Sequence, residues 1–293
     1  MHRISGGRSV FLGRALDFVN SAHSLGQPAS DYRARDVANT EVFMMSSVQP
    51  LSAFALSLTF VPMLFVITFV QLWNKGASST LYAVARMLIQ LMLVGYFLVY
   101  LFDTNSSFVV VSVLAVMLAV SSSIAIRPLA RRNRSLYLRA LAAIGLGGCI
   151  VLVLVTQFVL RLDPWYAPQY MIPMAGMIFA NTMNSVSLAA ERFEAELCNG
   201  ADYVVARNAA FRAALIPMTN ALLAVGVVSL PGMMTGQILS GVSPLVAAQY
   251  QIMVMAMTFG ASGIAAVTFL LLARRAKPQA PGVPVRATWP GPG

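Results

Sequence analysis

The chain has 293 residues, of which 58% are hydrophobic and 10% charged, with 20 Lys and Arg against 10 Asp and Glu. Soluble domains carry nearer a quarter charged residues, so this composition excludes a water-soluble fold. The formal charge of +10 does not point to nucleic acid, because the arginines collect between apolar runs and form no single basic face interleaved with aromatics.

Residues 1–47 hold Arg3, Arg8, Arg14, Arg33 and Arg35 beside Asp17, Asp31, Asp36 and Glu41, with no apolar run long enough to span a membrane. The segment lacks the compact apolar core and small-residue cleavage site of a secretory leader, so it reads as a poorly ordered tail in which Met44 and Met45 are alternative starts. Beyond it, apolar runs of the roughly 20 residues that cross a bilayer as helix recur, too long and unbroken for barrel strands. They predict helices over 51–73, 81–101, 108–126, 140–160, 169–190, 215–236 and 245–273. The fold class is an all-α integral membrane protein, a bundle of about seven transmembrane helices with a coupling-helix loop on the cytoplasmic side. Pro62 is expected to kink the first helix, because proline removes a backbone donor and clashes with the preceding turn. After Lys277, the residues Pro278, Pro281, Pro284, Pro290 and Pro292 exclude a helix. The chain thus divides into a tail over 1–47, a transmembrane domain over 48–275 and a proline-rich disordered tail over 276–293.

Charge in the loops sets the expected orientation. Lys75 follows the first helix, Arg127, Arg131, Arg132, Arg134 and Arg139 follow the third, and Arg274, Arg275 and Lys277 close the seventh. The loop of Asp103 has no basic residue, Arg161 is offset by Asp163 after the fourth helix, and the loop after the sixth is uncharged. Cytoplasmic loops carry the excess of Lys and Arg, so the amino terminus is expected in the periplasm and the carboxyl terminus in the cytoplasm of a bacterial inner membrane.

Much chemistry is missing from the predicted spans. All ten acidic residues (Asp17, Asp31, Asp36, Glu41, Asp103, Asp163, Glu191, Glu194, Glu196 and Asp202) fall outside them, whereas proton-coupled carriers place a carboxylate at membrane depth. The two histidines, His2 and His23, lie in the amino-terminal tail, so neither an HExxH zinc site nor a Ser-His-Asp triad can be assembled. Cys149 in an apolar run and Cys198 in a polar loop make no disulfide framework or CxxC site and read as structural thiols. A P-loop needs lysine before Ser or Thr, but Lys75 precedes glycine and Lys277 precedes proline. The chain is therefore not expected to be an enzyme or to bind a cofactor. If transport is driven by ATP, the nucleotide and its magnesium sit on a partner ATPase.

Three regions hold candidate functional residues. The stretch ERFEAELCNGADYVVARNAAFRAALIP between the fifth and sixth helices has amphipathic helical periodicity broken at Gly200. Flanked by Glu191, Arg192, Glu194, Arg207 and Arg212, it reads either as a surface-lying helix or as a coupling helix docking in a groove of another protein. Along the fifth helix, Met177, Asn181, Asn184, Ser185 and Leu188 share a face, and the seventh carries the stripe Gln251, Met255, Thr258 and Ser262. Such polar stripes are interhelical hydrogen bonds or a substrate path. The sixth ends in SLPGMMTGQIL, where Pro231 and Gly232 must interrupt the helix; the freed carbonyls, with Met233, Met234, Thr235 and Gln237, can line a cavity. Arg86 and Gln90, one turn apart on the second helix, read as a snorkelling pair or as a contact to the loop or path. The many methionines read as flexible core filling before soft metal ligation, so the metal ligands are unknown.

The strings ARMLIQLMLVGYFL, PMAGMIFANTMNSVSLAAER and LIPMTNALLAVGVVSLPGMMTGQILSGVSPLVAAQYQIMVM resemble the FetB family of ABC-transporter permeases, also called UPF0014 or YbbM, over about residues 50 to 275. The Glu194-Ala195-Glu196 start, with Gly200 following, resembles the EAA loop of such permeases, although Pro217 lies farther on than in the usual pattern. The resemblance implies a permease, a homodimer in the lipid bilayer, paired with a separate FetA-like ATPase and exporting iron or another metal. Similar plant proteins are tied to aluminium tolerance and nucleotide-sugar transport, so a different ABC substrate stays open. So does an ATPase-independent metal channel or carrier; a membrane scaffold without transport is disfavoured by the polar stripes.

Overall fold

The computed structural model describes residues 52–74, 77–102, 106–129 and 133–274. The expected tails over 1–47 and 276–293 lie outside the described residues, as do Lys75, Asp103, Arg131, Arg132, Arg275 and Lys277. The chain divides into two units, Met1–Val61 and Pro62–Gly293. The described part of the first holds α1 (Ala53–Leu58), capped by the Ser52 hydroxyl accepting from the Ala55 N–H, and the start of α2 (Phe60–Asn74). The second holds the remainder of α2, α3 (Ala77–Phe102), α4 (Ser107–Ala125), α5 (Arg134–Val153), α6 (Pro168–Cys198), α7 (Tyr203–Ala224), α8 (Gly232–Leu239) and α9 (Pro244–Arg274). Five stretches are long and apolar enough to cross a membrane: Phe54–Trp73, Thr80–Phe97, Ser107–Ala125, Arg134–Val159 and Pro244–Arg274. The expected spans on α6 and α7 are helices, but more polar ones that carry Asn181, Asn184, Arg207, Arg212 and Asn220, and they are not among these five.

The helices differ from the sequence expectation in four places. The first helix breaks at Thr59, whose hydroxyl donates to the Leu56 carbonyl at 2.7 Å, and not at Pro62. Pro62 is the third residue of α2, where a first-turn N–H has no intrahelical acceptor and its loss costs nothing. α5 continues into a π-turn over Leu154–Val159, held by Gln157, whose Nε2 donates to the Thr156 hydroxyl and the Trp165 carbonyl, each at 3.1 Å. α6 does not stop near residue 190 but runs to Cys198, its last turns reinforced by the Arg192–Glu196 ion pair one turn apart. The expected helix over 215–236 is two: α7 starts at Tyr203 and ends at Ala224, and α8 starts only at Gly232, with Pro231 as its cap residue.

α9 lies against α5 and α6, with α7 and α8 along its flank, while α4 closes the far side of α5 and α6. Between membrane helices no hydrophobic drive exists, because lipid tails are as apolar as leucine; close backbone approach takes its place. The contact is built accordingly from Gly147 of α5 against Ala261 and Ala265 of α9 and from Gly148 of α5 against Ile178 and Phe179 of α6, with Ala140, Ala143 and Ala266 fully buried on the same helices. α2 and α3 present Leu, Phe, Met and Val side chains outward along their length, the surface expected of helices facing lipid.

Candidate coupling turn and polar path

α6 and α7 form a helical hairpin whose turn is residues 199–202. The turn closes because Gly200 takes φ +85°, a left-handed conformation open to glycine at little cost. Asn199 N–H bonds to the Ala195 carbonyl and Ala201 N–H to the Glu196 carbonyl, satisfying the end of α6. Asp202 then caps α7, its side chain accepting from the Val205 N–H at 2.8 Å. The expected long loop from Glu191 to Ala214 is corrected here: the segment is the end of α6 and the start of α7, joined by the short turn at Gly200. Glu194 is half-buried on α6, Arg207 is half-buried on α7 with its guanidinium on the Asn208 carboxamide oxygen, and Arg212 is exposed.

Beneath the turn lies a contact that sequence reasoning missed. Tyr203 donates its hydroxyl to the Leu270 carbonyl of α9 at 3.0 Å. Its ring stands edge-on to Phe193 of α6, with centroids 5.9 Å apart, and the guanidinium groups of Arg207 and Arg274 approach its centroid to 5.8 and 5.7 Å. Nothing in one residue type at the start of a helix signals a partner 67 positions away.

The two polar stripes separate in the fold. On α9, Gln251, Thr258 and Ser262 are buried and Met255 half-buried, so this stripe faces the bundle interior. On α6, Ser185 and the unforeseen Thr182 are buried, whereas Asn184 is exposed and Met177, Asn181 and Leu188 are half-buried toward the same exposed side. Most hydroxyls in the interior return to their own helix: Thr182 donates to the Ile178 carbonyl at 2.9 Å and Thr258 to the Val254 carbonyl at 2.8 Å. Asn181 does likewise, its Nδ2 donating to the Met177 carbonyl at 2.8 Å. Three buried atoms have no hydrogen-bond partner among the described residues, namely Gln251 Oε1, Ser262 Oγ and Gln237 Oε1.

The interruption before α8 is a compact turn. Gly226 takes φ +82°, the Gly226 N–H bonds to the Ser229 carbonyl at 2.9 Å, and Pro231 accepts from Thr235 through its carbonyl. Met233, Met234, Thr235 and Gln237 are half-buried on α8, which packs against α9, and Gly232 is exposed. Arg86 is half-buried and Gln90 exposed on α3, which contacts α6. Among the described residues no three His, Cys, Asp or Glu side chains gather as a metal site.

Long apolar helices, several of them packed through glycine and alanine, with few buried polar groups, define a polytopic helical membrane protein. The sequence pattern described as "Uncharacterised protein family (UPF0014)" matches residues 51–277, and the chain belongs to that family. It is 41% identical to the UPF0014 membrane protein slr1647 of Synechocystis over 61% of this chain and 74% of the relative. It is 29% identical to the "Probable iron export permease protein FetB" of Escherichia coli over 68% of this chain and 81% of that protein. The Arabidopsis thaliana protein ALUMINUM SENSITIVE 3 is also 29% identical, over 78% of this chain and 85% of its own length. No solved structure matches the chain.

Proposed function

We propose that the chain is the membrane subunit of an ABC exporter for iron, not itself an enzyme, working as a homodimer with a separate ATPase that holds ATP and magnesium. The observation carrying this reading is the α6–α7 hairpin. At one end it presents a glycine turn between acidic and basic flanks, and along its length Asn184, Thr219 and Asn220 stand exposed. Carboxamides cannot rest against lipid without a large desolvation cost, so these exposed groups call for water or a second protein surface beside them. A second copy of the chain placed hairpin to hairpin meets that need and encloses a polar path between the two. Asn181, Asn184, Thr219 and Asn220 then line the path, and the Gly200 turns of both copies meet the ATPases.

The substrate follows from the relative named as an iron export permease, and neutral oxygen and thioether groups such as Asn184 and Met177 suit passage of a cation more than its permanent retention. The orientation consistent with the basic residues Arg127, Arg134, Arg139 and Arg274 puts the Gly200 turn and the carboxyl terminus in the cytoplasm of a bacterial inner membrane. The test is reconstitution with the ATPase from the same organism in inverted vesicles. ATP-dependent accumulation of ferrous iron, absent without either subunit, is the expected result. Iron movement by this chain alone would instead identify an ATPase-independent carrier.

A further inference from the structure

We propose that Tyr203 is the strut that carries movement of the Gly200 turn into α9; this rests on the reading of that turn as the ATPase contact. The turn is bonded within itself but open on its outer side. Asn199, Gly200 and Asp202 are exposed, and a Cβ on Gly200 would meet nothing within 4 Å. Three residues later, one side chain reaches three helices. The Tyr203 hydroxyl binds the Leu270 carbonyl of α9, its ring edge meets Phe193 of α6, and the cations of Arg207 on α7 and Arg274 on α9 bear on its π-face.

The point of attachment on α9 is firm, since Leu270 is 1% exposed and Phe269 is 2% exposed. From Leu270 the buried stripe begins eight residues back at Ser262, about 12 Å along a continuous helix. A displacement delivered at Leu270 therefore reaches Ser262, Thr258 and Gln251 along a rigid rod. Packing alone would accept phenylalanine at position 203; the hydroxyl adds a directional bond to α9 backbone, and that bond is what distinguishes a strut from filling. Tyr203 is a positioning residue, acting through α9 and not on substrate.

The experiment is hydrogen exchange on the complex of the full chain with its ATPase in lipid nanodiscs, without nucleotide and with ATP trapped by vanadate. In the parent complex, nucleotide changes exchange both in the turn, residues 199–203, and in the end of α9, residues 266–274. In Tyr203→Phe the turn still responds while the response of 266–274 falls about two- to tenfold, the weight of one net hydrogen bond; exchange without nucleotide stays as in the parent. Three results overturn the proposal: a full α9 response in Tyr203→Phe, a parent in which the turn responds without α9, or a variant whose whole bundle exchanges faster before nucleotide is added. A parent whose turn ignores nucleotide refutes the ATPase-contact reading itself, and the strut falls with it.

Discussion

Gly147 of α5 and Ala261 of α9 meet backbone to backbone: a Cβ on Gly147 would stand 2.8 Å from the Ala261 carbonyl oxygen and equally close to the Ala265 nitrogen. Backbone cannot rotate aside as a side chain does, so the α5–α9 crossing exists only because position 147 has no side chain. Gly147→Ala is expected to lower stability by about 1–3 kcal/mol through overpacking, and Gly147→Val to abolish folded protein. Gly260→Ala, on the same α9 but with nothing within 4 Å of its added Cβ, should be neutral or slightly stabilising. Thermal unfolding in detergent, with membrane abundance by blotting, checks both; equal melting of the 147 and 260 variants would refute the close crossing.

The cost of substitution at Gly200 is of a different kind. Space there is open, so Gly200→Val pays only for forcing a β-branched residue to φ +85°, roughly 1–3 kcal/mol. Membrane abundance should hold while ATPase recovered in a pull-down falls. Gly200→Asn should restore most of the binding, because asparagine tolerates left-handed backbone. Normal recovery with the valine variant would place the contact elsewhere.

Gln251 offers an outcome opposite to the usual core substitution. Its Oε1 is buried with no partner among the described residues, so Gln251→Leu removes an unpaid desolvation and should leave stability unchanged or raise it by about 1–3 kcal/mol. ATPase binding should be retained. A clear loss of thermal stability would mean that the carboxamide is satisfied by water or by a neighbouring copy.

On α6, Asn184→Leu and Asn181→Leu should separate transport from assembly: iron accumulation in vesicles falls at least about tenfold, while ATPase pull-down and melting stay near the parent. Glu194→Lys, beside the turn, should show the reverse, with lost pull-down and normal melting. An inverted pattern would exchange the assignments of path and contact.

Reporter fusions test orientation. A tag after Gly293 should be protected from external label and one at the amino terminus accessible, since basic loops stay in the cytoplasm. Removing residues 2–43 should leave insertion intact, because that stretch offers no apolar span. An internal amino-terminal tag would reverse the two faces.

The helical membrane class, the start and end of α9, the glycine break at position 200 and the interruption around Pro231 were all legible in sequence. Each is a local property: run length against bilayer thickness, one residue that tolerates positive φ, one that lacks an N–H. Tertiary structure alone decided which side of each helix is inside. Asn184 and Ser185 are adjacent in sequence and differ by about 100° around α6, so one is exposed and the other buried once α5 and α9 have taken their places. The same holds for Tyr203, whose partner Leu270 is chosen by how the hairpin docks on α9, a relation between distant segments that helical periodicity does not encode.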